Sequence, residues 1–114
     1  MAATPAERRQ AIVSAIVDAR RTDESATFVV DRAGSVVYDD RTLRVELDAD
    51  ERERLEALLE EYGVFKLRQP ETRKAETGVV YLSAVTDPKH AADFVEALFR
   101  QVYGAEEGYE LAVE

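Results

Sequence analysis

The sequence predicts an α+β fold in two layers, with helices mainly on one face of a mostly antiparallel sheet. Three observations predict it. Three segments carry apolar residues at helical spacing behind strong N-terminal caps, and short β-like runs bounded by turn residues lie between them. Several of these runs are joined by tight turns, and strands joined in this way run antiparallel. The predicted element order is αβββαββα, followed by one short strand.

The three helices are predicted from their caps and their apolar faces. Thr4-Pro5-Ala6-Glu7 is a capping box with proline at the first helical position, Asp48 precedes the second helix, and Asp87-Pro88 starts the third. Each segment carries its apolar residues on one face, and in the second segment they recur at i, i+3, i+4 and i+7, as expected of a helix that buries one face. The predicted helices span about residues 5–22, 49–62 and 88–103.

Six strands are predicted between and after the helices. Residues 42–47 alternate apolar and polar side chains, which predicts one buried face and one face in water. Residues 78–85 are apolar at nearly every position, so this strand is placed inside the sheet. The alternating segment 109–113 is predicted to be the last strand, at an edge. The other predicted strands are 26–31, 36–38 and 64–68.

Two architectures fit this element order, within a single predicted domain over residues 1–114. Residues 42–113 alone have the order βαββαβ, which is the ferredoxin-like split βαβ arrangement, with the first helix and hairpin as an extension. Residues 5–103 have the order αβββαββα, which resembles secretion-chaperone-like domains. This second resemblance implies a small, acidic, dimeric protein. The predicted core residues are Leu43, Val45, Leu47, Leu55, Leu58, Leu59, Phe94, Val95 and Leu98.

Composition excludes several classes of site and favours a soluble cytoplasmic protein. The 114 residues include no cysteine, so disulfides, thiolate metal sites and cysteine nucleophiles are excluded. No apolar run approaches the roughly 18 residues that a membrane-spanning helix needs. The opening stretch MAATPAERRQ lacks the apolar segment of a signal peptide.

The charge balance favours a protein that works at high salt. The net charge is −9, and arginine outnumbers lysine by 12 to 3. Near 1 M salt the Debye length falls to about 3 Å, which screens the mutual repulsion of the carboxylates. The alternative is an ordinary acidic protein from a mesophile.

Residues with the chemistry of catalysis are scarce in the sequence. His90 is the single histidine, and with Asp93 it supplies only two of the ligands that a metal site needs. No serine stands in a G-x-S-x-G turn, and the five glycines form no phosphate-binding motif. Paired carboxylates such as Asp39-Asp40 are expected from the acidic composition alone. We therefore predict a non-enzymatic protein with no catalytic residue, no cofactor and no metal site.

One segment departs from the acidic composition. Residues 64–75 have a local charge of +3, which leaves −12 on the rest of the chain. Its basic residues are Lys66, Arg68, Arg73 and Lys74. They form a candidate contact for an anion or a nucleic acid, and the alternative is a solvated strand and loop whose bases pair with carboxylates. The net charge opposes non-specific binding to nucleic acid. Candidate neighbours from other strands are Arg44 and Tyr81.

The last helix has a second apolar stripe beside its core stripe, formed by Phe99 and Tyr103. Leaving both aromatic rings in water would forgo the burial of about 150 Å² or more each, so the stripe is a candidate dimer interface. The alternatives are cover by the terminal strand, cover by the first helix, and a dimer through the exposed sheet edge. We therefore predict a binding or adaptor domain that acts as a homodimer and contacts another protein. The alternative function is a small regulatory protein that contacts nucleic acid through residues 66–74.

Overall fold

A computed structural model describes residues 2–31, 33–68 and 78–114. It confirms the α+β class, with three α-helices, one π-helical turn and a six-stranded antiparallel sheet in the described residues. The helices are α1 (Pro5–Thr22), α2 (Ala49–Glu61) and α3 (Pro88–Ala97), and α3 continues into the π-helical turn Leu98–Val102. The strands are β1 (Ala26–Val30), β2 (Gly34–Asp39), β3 (Thr42–Glu46), β4 (Lys66–Arg68), β5 (Val79–Ser83) and β6 (Ala112–Val113).

Side-chain caps fix the start of each helix. At α1, the Thr4 hydroxyl accepts from the Glu7 backbone N–H at 3.2 Å, and the Glu7 carboxylate accepts from the Thr4 backbone N–H at 3.2 Å. The Thr4 hydroxyl is the main cause that lowers the pKa of Glu7. Asp48 and Glu51 form the same reciprocal pair at α2, at 2.8 and 2.9 Å, and Asp87 caps α3. These caps satisfy N–H groups that a helix otherwise leaves unpaired.

The sheet has the strand order β4-β5-β3-β2-β1-β6, and all neighbouring strands are antiparallel. β5 lies inside the sheet and β6 lies at an edge, and both positions agree with the sequence prediction. The ferredoxin-like alternative is met only in part. β5 lies between β3 and β4, as a split βαβ unit requires, but β2 rather than β6 lies on the other side of β3. The N-terminal hairpin is therefore an integral part of the sheet and not an extension.

Alternate residues of the strands contribute to one continuous core. In β1, Phe28 and Val30 are buried while Thr27 and Val29 are partly exposed, and β2, β3 and β5 show the same alternation. This alternation favours helices on one face of the sheet, which stays a prediction. Eight of the nine predicted core residues are buried, and the exception is Leu59, which is only partly buried.

A fully buried arginine ties both ends of the chain to α3. Arg8 donates to the backbone carbonyl oxygens of Ala3, Glu107 and Tyr109, each at 2.9 Å. It also donates to one carboxylate oxygen of Glu96, at 2.7 Å and 3.2 Å. Its guanidinium carbon lies 3.8 Å from the centre of the Tyr109 ring. The segment after the last helix is therefore held against α1 and α3.

The second apolar stripe of the last helix is largely used inside the single chain. Phe99 is fully buried, and its ring centre lies 5.7 Å from that of Tyr103 and 5.8 Å from that of Tyr109. Tyr103 is partly exposed, and its hydroxyl donates to the backbone carbonyl of Glu46 at 2.9 Å. The sequence analysis made Phe99 and Tyr103 a candidate dimer interface because two aromatic rings in water are unfavourable. Residues of the same chain cover Phe99, so that reason does not hold for Phe99. The homodimer itself stays a prediction.

Candidate binding surface on the sheet

The sheet face opposite the buried strand residues carries the candidate contact residues. Directly paired residues of antiparallel strands lie on the same side of a sheet. Arg44 of β3 is paired with Tyr81 of β5, and Tyr81 is paired with Arg68 of β4. Lys66 of β4 is paired with Ser83, one step further along the same face. We call the group of Arg44, Lys66 and Tyr81 the cationic face.

Two neighbours hold the Arg44 side chain. Its Nη2 lies 3.1 Å from Oε1 of Glu46, in an ion pair at the surface. Hydrogen bonding to the Tyr81 hydroxyl is the main cause that raises the pKa of Arg44, while burial opposes the shift and Glu46 adds to it. Glu46 is the residue of this surface that sequence reasoning missed. The sequence could have indicated this residue, because Glu46 stands two positions after Arg44 and residues two apart lie on the same face of a strand.

The structure brings part of the predicted basic segment together with its predicted neighbours. Lys66 is exposed on the cationic face, beside the pair that links β3 and β5. Arg68 occupies the register position opposite Tyr81. Arg73 and Lys74 lie outside the described residues. The proposed contact therefore rests on Lys66 and on the β3–β5 pair.

The outer strand β4 has one exposed apolar side chain on the face opposite Lys66, and two more exposed apolar residues lie beyond the ends of β4 and β5. Leu67 is paired with the buried Leu82, yet 44% of its surface is exposed. Val64 precedes β4 and Val85 follows β5, so both stand at the same end of this antiparallel pair, and both are exposed. Among the described strands, β4 has a neighbour on one side only, which leaves backbone groups open to pairing. We call Val64, Leu67 and Val85 the apolar edge.

The single histidine has a structural place in this fold. The His90 backbone N–H donates to the Asp87 carboxylate at 2.9 Å, and its ring centre lies 5.5 Å from that of Phe65. Within residues 2–31, 33–68 and 78–114, no three histidine, aspartate or glutamate side chains are grouped as a metal site.

In the same part of the chain, every helix falls short of the length and apolar character needed to cross a bilayer.

Comparison with known proteins places this chain in a family whose function is unknown. No curated protein and no solved structure matches it. A family model described as a family of unknown function, DUF7975, matches residues 1–114. The match covers every residue of the sequence, so the protein belongs to the DUF7975 family.

Proposed function

We propose that this protein is a non-enzymatic binding domain whose cationic face contacts a single-stranded nucleic acid. One observation carries the proposal: the pairing of β3, β4 and β5 places Arg44, Tyr81 and Lys66 on one face of the sheet, with Lys66 exposed and Arg44 and Tyr81 partly exposed. An aromatic ring on such a surface stacks on any base, and cations beside it meet the phosphates.

The net charge of −9 shapes the binding that we expect. Long-range repulsion opposes the approach of a polyanion, most strongly at low salt. The two cations of the face, Arg44 and Lys66, neutralise at most about two phosphates, so log affinity should fall against log salt with a slope of about −1.4. Binding that persists at higher salt comes from stacking on Tyr81. A shallow salt dependence is therefore the expected signature of this surface.

Fluorescence anisotropy with a labelled short single-stranded oligonucleotide tests the proposal. Lys66→Glu and Tyr81→Leu each alter the cationic face, and each should weaken binding about tenfold. Arg52→Glu is the matched control, because it makes the same change in charge as Lys66→Glu at an exposed position of α2. The control should stay within about twofold of the wild type, since α2 lies outside the proposed contact.

Two outcomes contradict the nucleic-acid contact. One is the absence of binding by the wild-type chain at every salt concentration at which it is folded. The other is an equal loss in Lys66→Glu and Arg52→Glu, which would show a general effect of net charge rather than a surface. Melting curves of each variant confirm that the comparison is made between folded proteins.

A second candidate function is that of a homodimeric adaptor, and the apolar edge favours it. The burial of Phe99 leaves the sheet edge as the alternative dimer contact that the sequence analysis named. Leu67 stands with two exposed valines around an outer strand, a combination that suits pairing between chains. Molar salt strengthens an apolar contact and screens the repulsion between two chains of −9 each.

Sedimentation in molar salt tests the dimer. Leu67→Asp should convert a dimer to a monomer, whereas Val17→Asp should leave it intact. Leu67 is 44% exposed and Val17, on α1, is 43% exposed, so the two substitutions add the same charge at equally exposed positions. Wild-type protein that sediments as a monomer at tens of micromolar rules out this adaptor function.

A further inference from the structure

A carboxylate stands beside the cationic face on the same side of the sheet. Glu46 is the last residue of β3, two positions after Arg44, and its side chain is 67% exposed. In the register of β3 with β5, Glu46 is paired with Val79, which is two positions before Tyr81. Glu46 therefore lies diagonally across from Tyr81, at a spacing of about 7–8 Å that long side chains can bridge.

Two contacts position Glu46 and leave one of its carboxylate oxygens open. The Tyr103 hydroxyl donates to the backbone carbonyl of Glu46 at 2.9 Å, which fixes the end of β3. At the side chain, Nη2 of Arg44 donates to Oε1 at 3.1 Å. Among the described residues, none is hydrogen-bonded to the other oxygen, Oε2. Oε2 can therefore accept a hydrogen bond from a ligand.

The Arg44 side chain connects Glu46 with Tyr81. Besides its bond to Glu46, Arg44 is hydrogen-bonded to the side chain of Tyr81, which is partly exposed. A guanidinium group is planar and presents its N–H donors in a rigid fork, so bonds to both residues set the spacing between them. A base that stacks on the Tyr81 ring therefore brings one of its edges within reach of the Glu46 carboxylate.

A carboxylate distinguishes between bases, although it does nothing to attract phosphates. It repels other negative charges, and it accepts strong hydrogen bonds from N–H donors. Cytosine presents the amino group N4–H₂ at the position where thymine and uracil present the acceptor oxygen O4. The Glu46 carboxylate therefore attracts this edge of cytosine and repels the same edge of thymine or uracil.

We propose that Glu46 makes the cationic face select cytosine over uracil and thymine, by accepting a hydrogen bond from the cytosine amino group. This preference rests on the contact with single-stranded nucleic acid proposed above and names the base that the contact favours. Tyr81 stacks on any base, and Arg44 and Lys66 meet phosphates, which are the same in every sequence. These three residues supply affinity, and Glu46 is the specificity-determining residue.

Fluorescence anisotropy on the full chain compares two labelled oligonucleotides of equal length, one of deoxycytidine and one of deoxyuridine. Deoxyuridine lacks the methyl group of thymidine, so the two bases differ only in their hydrogen-bonding edge. The wild type should bind the deoxycytidine oligonucleotide about fivefold more tightly, as expected of one charge-assisted hydrogen bond at an exposed site. Glu46→Gln should bring the two affinities within about twofold of each other, because an amide accepts from one base and donates to the other. Glu53→Gln, the matched control, removes an exposed carboxylate from α2 and should keep the preference.

The ratio of the two affinities separates base selection from other roles of Glu46. If Glu46 serves only to hold Arg44, Glu46→Gln changes both affinities by the same factor and leaves the ratio unchanged, which overturns the proposal. Equal affinity of the wild type for the two oligonucleotides overturns the base preference alone and leaves the nucleic-acid contact standing. Absence of binding of either oligonucleotide to the folded chain overturns both. A loss of preference in Glu53→Gln as large as in Glu46→Gln also overturns the assignment to Glu46.

Discussion

Replacing Arg8 with methionine removes a buried charge that joins three parts of the chain. The methionine side chain is flexible and of similar reach, so it fits an apolar helix face. The change removes three hydrogen bonds to the backbone carbonyls of Ala3, Glu107 and Tyr109 and two to the carboxylate of Glu96. The carbonyl of Tyr109 then loses a buried donor, and Glu96 loses its cation.

The size of the effect follows from the burial of the two partners. Breaking a buried ion pair by removing one partner costs about 3–5 kcal/mol. The Arg8 side chain is 0% exposed, but that of Glu96 is 20% exposed, so water solvates part of the carboxylate that remains. We therefore expect the free energy of unfolding to fall by about 3 kcal/mol, near the lower limit. For a domain of this length, that corresponds to a loss of roughly 12 °C in Tm.

Urea unfolding at a fixed molar salt concentration measures this loss. Arg9→Met is the matched control, because Arg9 is the next residue of α1, has a side chain 52% exposed and pairs with Asp93 only at 3.6 Å. Its substitution should cost less than about 1 kcal/mol. Arg8→Met alone should also make residues 104–114 easier to cleave in limited proteolysis, since their anchor is lost. A loss no larger than that of Arg9→Met would refute the reasoning.

Three further outcomes are expected. Gly34→Ala should cost about 1–3 kcal/mol in the same assay, since a Cβ there would stand 2.8 Å from the Tyr103 ring, whereas the control Gly63→Ala meets nothing within 4 Å. Burial raises the pKa of Tyr103 and of Tyr109 to about 12, above the value of about 10 in the unfolded chain. Because the folded chain holds these protons more tightly, stability is complete below about pH 10 and falls from there to about pH 12, which urea unfolding at stepped pH measures. The acidic composition predicts that Tm rises between low and molar salt, and an unchanged Tm contradicts that prediction.

Local structure could be predicted from the sequence because its causes lie within one helical turn. The pairs Thr4–Glu7 and Asp48–Glu51 are three residues apart, and each fixes a helix start by itself. The order of the strands could not be predicted in the same way. Whether β2 or β6 lies beside β3 depends on contacts between distant parts of the chain, which residue spacing does not specify.

Arg8 and Phe99 are two residues whose contacts with distant parts of the chain could not be predicted from residue spacing. An arginine on a helix is normally placed in water, yet Arg8 stands four residues before Ile12 on the buried stripe of α1, and that spacing was its signal. The stripe at Phe99 was recognised as apolar, but periodicity does not distinguish a second subunit from the same chain. Tyr109, ten residues further on, supplies part of the cover.

The sequence predicted which residues belong to the candidate binding surface, but it did not predict which of them contact one another. Alternation along β4 placed Lys66 and Arg68 on the face opposite Leu67, and the Lys66 side chain is exposed. Arg44 and Tyr81 were named as candidate neighbours, and only the strand register shows that they are paired with each other. Glu46 was missed because its role depends on the conformation of the Arg44 side chain.

The claim that the cationic face takes a single-stranded nucleic acid is tested most directly by NMR. A ¹⁵N-labelled chain is titrated with a short oligonucleotide at the lowest salt concentration at which it stays folded. The account predicts chemical-shift changes concentrated at Arg44, Lys66 and Tyr81 and their strand neighbours, with the signals of α2 unchanged. Changes spread over the whole surface, changes confined to the helices, or no change at all would contradict it.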